Sequence, residues 1–288
     1  MSDESRHAAA ALRRDLVGSP DPRAWFDANR ERVADALRSA ADEPEAAAAL
    51  LAEVWPVVPA DADEGWCRSL HEAGARLAGV LPTSLVLATA FRRGARSLRA
   101  RGLLQLAAAQ GMRELAVHRV RDDDPTATAA ALDDLAETYR AQGRMHRVVG
   151  CADEALETSF RHGDLPGAAR ALTRLGELMT EVGRMGAAVR YLARADKVFD
   201  EAGDPAGAPD RAGSLALLGR ALWLSGDRSA AHRAFNRALA LLIGVDDAAA
   251  QRVRDLVAGL ESLPEQADQR QDELDEQAGG EPGSGPVR

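Results

Sequence analysis

An internal repeat of about 40 residues constrains the fold of this chain more than any other feature of its sequence. Four segments align, and each has a bulky residue and then a glycine. Three positions before the bulky residue, three of the segments complete a large-small pair, and the first has Gly94-Ala95 at the same place. The glycines are Gly102, Gly143, Gly183 and Gly226, spaced by 41, 40 and 43 residues. A glycine in this position is typical of a helix C-terminus, where a positive φ is needed. Because one helix hairpin cannot bury its apolar face alone, the repeat predicts stacked hairpins.

The composition favours helices and excludes a β-sheet protein. The chain has 60 Ala and 35 Leu, but only one Ile and 4% aromatic residues, whereas strands favour β-branched and aromatic side chains. Helix starts are also marked, because Asp is a good N-cap and Pro suits the first helical position. Asp-Pro pairs begin at Asp21, Asp124 and Asp204, and Asp164 and Asp246 are predicted caps without this proline. The predicted fold class is all-α.

The repeat resembles the tetratricopeptide-repeat (TPR) family. The residues that carry the resemblance are Leu172-x2-Leu175-Gly176, Leu215-x2-Leu218-Gly219 and Ala231-x3-Phe235. The family tryptophan is Leu in this chain, and the period exceeds the usual ~34 residues, which indicates longer helices. The resemblance implies a right-handed α-solenoid whose first helices line a concave groove that holds a partner.

A second resemblance concerns the segments 24–37, 53–56 and 65–73. They are similar to the opening of the C-terminal helical-repeat arm of bacterial STAND-type transcriptional regulators, including antibiotic regulatory proteins. The two resemblances together cover about 20–262 and imply a regulatory role. In those regulators an ATPase core precedes the arm, but this sequence has no P-loop, since its only lysine, Lys197, lies outside any Gly-x4-Gly-Lys-Ser/Thr motif.

The predicted organisation has four parts. They are divergent helical pairs in 1–80, four TPR-like repeats in 81–245, a capping helix in 246–263 and a disordered acidic tail in 264–288. The tail is predicted to be disordered because it has too little apolar surface to offset the entropy of ordering. We expect a cytoplasmic protein, because the sequence shows no signal peptide or membrane segment and its two cysteines, Cys67 and Cys151, form no disulfide framework.

Charge and motifs argue against several classes of function. The net charge is −9, and −4 remains when 264–288 is left out, which is unfavourable for a protein that binds nucleic acid over its whole surface. His71-Glu72 opens like a zinc-protease helix but lacks the second histidine four residues later. No nucleophile and base, metal set or phosphate loop is recognisable. We therefore predict that the chain is not an enzyme and needs no cofactor or metal.

The strongest candidate site is a cluster of arginines. Eight arginines lie between positions 80 and 121 against one acid, Glu114, and Arg92, Arg96 and Arg99 share one helix face. The equivalent positions in the next repeats are Asp133, Glu137 and Arg140, then Thr173 and Glu177, then Arg220 and Trp223. One interpretation is an anchor for carboxylates or phosphates of an acidic partner, because Arg binds both bidentately. The other is a solvated face paired with acids of the next repeat, such as Glu137.

The functional prediction is a non-catalytic, regulatory module that binds a protein or peptide segment in the groove. Two alternatives stay open: an enzyme or ligand-binding sensor that uses the same groove, and a nucleic-acid-associated regulator that uses the arginines of 80–121. The second lacks interleaved aromatic residues and a recognition motif.

Overall fold

Helices joined by short connections make up the part of the chain that the structure describes. The computed structural model describes residues 8–39, 43–59 and 61–262, and it contains no strand in these ranges. The chain divides into two compact units between Gly207 and Ala208. The predicted all-α class is confirmed, whereas the predicted tail 264–288 lies outside the described residues.

Ten α-helices lie in the described part of the first unit. They are α1 (Ala8–Gly18), α2 (Pro22–Arg38), α3 (Pro44–Val54), α4 (Glu64–Val80), α5 (Leu85–Ala100), α6 (Leu104–Arg121), α7 (Pro125–Ala141), α8 (Met145–Arg161), α9 (Leu165–Glu181) and α10 (Met185–Ala202). The described part of the second unit contains α11 (Ala208–Leu224), α12 (Arg228–Leu242) and α13 (Asp247–Glu261). Helices that follow each other pair as hairpins, α5 with α6, α7 with α8, α9 with α10 and α11 with α12. None of these helices is long and apolar enough to cross a membrane.

The repeat glycines end the first helix of each hairpin, as the sequence predicts. Gly102, after α5, has a φ of 74°, and the amide of Leu103 donates to the carbonyl of Leu98 at 3.0 Å. This 6→1 hydrogen bond over a left-handed residue is the Schellman motif, which satisfies carbonyl groups that the helix end leaves unpaired. The same bond follows α7, α9 and α11, at Gly143, Gly183 and Gly226.

Four of the five predicted N-caps are confirmed. In each, an aspartate carboxylate accepts the amide three residues later, at Asp21, Asp124, Asp164 and Asp246. Asp204 differs, because its carboxylate accepts the amide of Ala206, two residues later, at 2.9 Å. A short 3₁₀ helix, Pro205–Gly207, follows it, and α11 begins only at Ala208. Asp204 therefore starts a turn rather than an α-helix.

Glycine allows the two helices of a hairpin to approach closely. In α9, a Cβ built on Gly176 would collide with the side chain of Leu192 in α10. In α11, a Cβ on Gly219 would lie 2.6 Å from the Phe235 ring of α12. Both glycines are the small members of large-small pairs in the repeat. The repeat pattern therefore indicates where the two helices of a hairpin come into contact, as well as where the first helix ends.

Candidate functional site

A groove opens in the first unit where the first helices of three hairpins meet. Its cavity has a volume of about 350 Å³ and is lined by residues of α5, α7, α8 and α9. Its apolar lining residues are Ala130, Ala136, Val148, Ala152 and Leu178; the two alanines of α7 are half-buried and the other three are almost fully buried. Charged side chains from α5, α7 and α9 complete the lining. An apolar surface with charged groups around it is typical of a site that binds a ligand or a peptide.

Five of the ten residues that the sequence proposed as groove residues line this cavity. They are Arg96, Asp133, Glu137, Arg140 and Glu177. Arg92, Arg99 and Thr173 lie in the same unit but not among the lining residues, and the Thr173 hydroxyl donates to the carbonyl of Ala169 at 2.9 Å. The two remaining residues, Arg220 and Trp223, belong to the second unit.

The predicted arginine stripe is engaged by an acid that the sequence analysis missed, Asp134 of α7. Arg96 binds its carboxylate through two hydrogen bonds, Nε to Oδ1 at 3.1 Å and Nη2 to Oδ2 at 2.7 Å. Arg99 donates to the carbonyl of Asp134 at 2.8 Å and to the Thr138 hydroxyl at 3.1 Å. The Asp134 side chain is only 15% exposed, so this fork is partly withdrawn from water. The stripe is thus paired with the next repeat, at Asp134 rather than at Glu137.

Arg92 is paired within its own hairpin. Its Nε donates to Oε1 of Glu114 in α6, whose side chain is fully buried. Burial raises the pKa of the Glu114 carboxyl, although the contact with Arg92 opposes this shift. Arg92 therefore neutralises a buried acid, and this is a structural role.

The other charges of the groove are unevenly paired. Asp133 forms an ion pair with Arg174 of α9, and Arg140 donates to Glu181 at 2.5 Å. Glu137 has only a 3.8 Å contact with Arg140 and is 59% exposed. Glu177 is exposed, with no hydrogen bond or ion pair to any described residue. The groove therefore presents two carboxylates that its own arginines leave largely free.

Trp223 contributes to packing within the second unit. Only 9% of its surface is exposed, its ring lies 4.5 Å from the guanidinium carbon of Arg228, and its centroid lies 5.5 Å from that of His232. Its neighbour on the helix, Arg220, is exposed. Sequence spacing placed both side chains by analogy with the earlier repeats, and it did not show which of them α11 buries.

The two cysteines are unsuited to nucleophilic chemistry. Burial raises the pKa of the Cys151 thiol to about 11, and burial also raises that of Cys67. A cysteine nucleophile acts as the thiolate and needs a lowered pKa. Within the described residues, no group of three or more His, Cys, Asp or Glu side chains is placed to hold a metal ion.

Comparison with known proteins identifies the fold. No protein-family model and no curated protein sequence matches this chain. Among solved structures, it is similar to aspartyl phosphate phosphatase F from Bacillus subtilis, with a TM-score of 0.50 and 13% identity over 96% of this chain and 85% of that chain. The fold is an all-α, TPR-like helical repeat.

Two further structures resemble this helical-repeat chain. One is a Podosopora anserina protein described as a kinesin light chain with nearly identical TPR-like repeats, at a TM-score of 0.49 and 16% identity over 72% of this chain and 100% of that one. The other is BtubC (BKLC) from P. vanneervenii, at a TM-score of 0.47 and 18% identity over 92% of this chain and 97% of that one. The resemblance to STAND-type regulators is not tested by these matches and stays a prediction.

Proposed function

We propose that this repeat protein is a non-catalytic interaction module that holds an extended segment of a partner protein in the groove of α5, α7, α8 and α9. The observation that carries the proposal is the groove itself, which opens along the first helices of consecutive hairpins. Its volume of about 350 Å³ accommodates a few side chains rather than a folded domain. We also propose a regulatory setting in the cytoplasm, in line with the resemblance to the repeat arms of STAND-type regulators.

The chemistry of the groove favours a segment with an apolar residue beside a basic one. An apolar side chain would pack on the half-buried Ala130 and Ala136 and on the edges of Val148, Ala152 and Leu178, and its burial would contribute to the binding free energy. A lysine or arginine of the partner would pair with Glu137 and Glu177. Acidic groups are disfavoured in this groove, because its arginines already hold carboxylates.

A selection from a random peptide library tests this proposal. The wild-type protein should enrich peptides in which Lys or Arg stands next to an apolar residue. Glu177→Lys should weaken binding of the selected peptide about tenfold, about 1.4 kcal/mol, because it replaces an attraction by a repulsion.

Glu201→Lys is the matched control, because Glu201 is also exposed on a helix but lies outside the groove. This variant should bind the selected peptide as the wild type does. The proposal would be wrong if no peptide were enriched, or if both charge reversals changed the affinity equally.

A further inference from the structure

A second cavity in the first unit is lined by arginines and neutral residues. It lies between α2, the segment that follows α3 and the face of α5 that carries Arg93 and Arg101, and its volume is about 320 Å³. The lining residues are Arg23, Trp55, Pro56, Val58, Arg93, Arg96, Ser97 and Arg101. Four arginines thus face one cavity, and none of its lining residues is acidic. We call it the arginine pocket.

Two of the four positive charges have no acidic counterpart among the residues that the structure describes. Arg93 pairs with Glu53 at 2.9 Å, and Arg96 is held by Asp134. Arg101 bonds only to neutral oxygens, which are the carbonyls of Val58 and Pro59 and the carbonyl and hydroxyl of Ser97. For Arg23 there is no hydrogen bond or ion pair to any described residue. Counted over the described residues, the arginine pocket therefore keeps two net positive charges.

The guanidinium groups differ in what they can offer a ligand. A guanidinium group has five N–H donors, and Arg101 donates all five to the oxygens around it. Arg101 therefore contributes a positive charge but no free donor. Arg93 donates only through Nη1 to the rest of the described chain, which leaves Nε and Nη2 available. Arg23 keeps all of its donors. Arg23 and Arg93 can therefore bind the oxygens of an anion.

The position of Arg23 is unfavourable for stability. It is the second residue of α2, and a positive charge in the first turn is repelled by the helix macrodipole. It is also exposed, so it gains nothing from burial, and no described acid compensates it. A bound anion at this position would offset the repulsion between Arg23 and the helix macrodipole.

We infer that the arginine pocket binds a phosphate monoester. A phosphoryl group carries a charge of about −1.5 to −2 at pH 7, which matches the two uncompensated arginines, and its oxygens suit the guanidinium fork. Exposed Pro56 offers an apolar surface beside the charges for the group that bears the phosphate. The inference goes beyond the proposed function, since this pocket shares only Arg96 with the groove.

Titration calorimetry with phenyl phosphate tests the inference. Saturable binding to the wild type is expected, and Arg23→Ala should weaken it about tenfold or more. The melting temperature of Arg23→Ala should stay within about a degree of that of the wild type, because Arg23 makes no hydrogen bond or ion pair to any described residue. Arg76→Ala is the matched control, since Arg76 is exposed on α4 outside the pocket, and it should bind as the wild type does.

A phosphotyrosine peptide separates two sources of the phosphate. Binding at least tenfold tighter than phenyl phosphate would indicate a phosphorylated partner, and equal or weaker binding would indicate a small phosphate ester. Absence of saturable binding by both probes would overturn the inference. So would an affinity that Arg23→Ala leaves unchanged, or that Arg76→Ala lowers as much.

Discussion

At the scale of single residues, the most unusual feature is a row of buried polar side chains on α6. Gln110, Glu114 and His118 are spaced by four residues and therefore share one face of the helix. Both polar side-chain atoms of Gln110, Oε2 of Glu114 and Nε2 of His118 have no hydrogen-bond partner within the described part of the chain. A buried polar atom without a partner costs free energy, so we expect this row to lower the stability of the α5–α6 hairpin.

Glu114 gives the stability a defined pH dependence. Burial raises the pKa of its carboxyl above the usual 4.5. Between pH 4.5 and the raised pKa of the folded state, the folded protein binds more protons than the unfolded protein. The free energy of unfolding therefore falls as the pH rises through this range. Gln at this position cannot ionise. The Glu114→Gln variant should therefore gain stability relative to the wild type between pH 4.5 and the raised pKa, and the difference should be constant above it.

Urea denaturation of both proteins at a series of pH values measures this difference. His118 shifts in the opposite sense, because burial and then Arg92 lower its pKa, but it is present in both proteins and its contribution largely cancels. The contact with Arg92 is already included in this difference, because Arg92 attracts the ionised carboxylate and the raised pKa is the net result of burial and this attraction. A difference in stability that does not change with pH would contradict the account of Glu114.

The sequence predicted the residues of the groove better than their partners. Five of the ten proposed residues line one cavity, because hairpins of similar length repeat the same helix face. Spacing along one helix does not fix its register against the next, which is why Asp134 was missed as the partner of Arg96. The sequence does not predict the arginine pocket for the same reason. Its lining combines Arg23 with arginines about 70 residues later in the chain, and a local sequence pattern cannot predict that such distant residues lie together.

At the scale of helices, stability depends on glycines at the hairpin contacts. Gly176→Ala should destabilise the protein by about 1–2 kcal/mol, because the added methyl group collides with Leu192 and overpacking outweighs the gain in helix propensity. Gly150→Ala is the control, since Gly150 is exposed in α8 with nothing within 4 Å of its built Cβ. It should stabilise the protein by about 0.5–1 kcal/mol. Chemical denaturation that found equal stabilities would refute the role of Gly176.

Helix ends were the most predictable part of the fold. The Schellman glycines and four aspartate caps follow from local chemistry, in which a left-handed residue or a side-chain oxygen satisfies backbone groups beside it. Asp204 was the exception, although Asp-Pro favours a helix start. The Asp204 carboxylate accepts the amide two residues later, as in a turn, and not the amide three residues later, as in a helix N-cap. Both structures can begin with Asp-Pro, so the sequence does not distinguish them.

At the scale of the whole molecule, both candidate sites belong to one compact unit. The groove and the arginine pocket lie entirely within the residues before Ala208. The division after Gly207 falls inside the predicted four-repeat segment 81–245, and the repeat pattern continues across it at Leu218-Gly219. Helix pattern alone could not locate this division, because the same hairpin signature occurs on both sides. The predicted boundaries near 80 and 245 stay predictions.

A fragment of residues 1–207 should therefore fold and keep both sites. Three hydrophobic clusters of buried residues are formed by residues up to Phe199, all within the first unit. We expect a cooperative thermal transition by circular dichroism and an affinity for phenyl phosphate within about twofold of the full chain. The matched control ends at His162, which removes Arg174 and Glu177 from the groove and Leu175 from a cluster that α7 and α8 share. It should unfold at a clearly lower temperature, because it exposes apolar surface that α9 otherwise covers. Loss of cooperative unfolding in 1–207 would show that the first unit does not fold independently. Equal melting of the two fragments would show that α9 does not stabilise the helices before it.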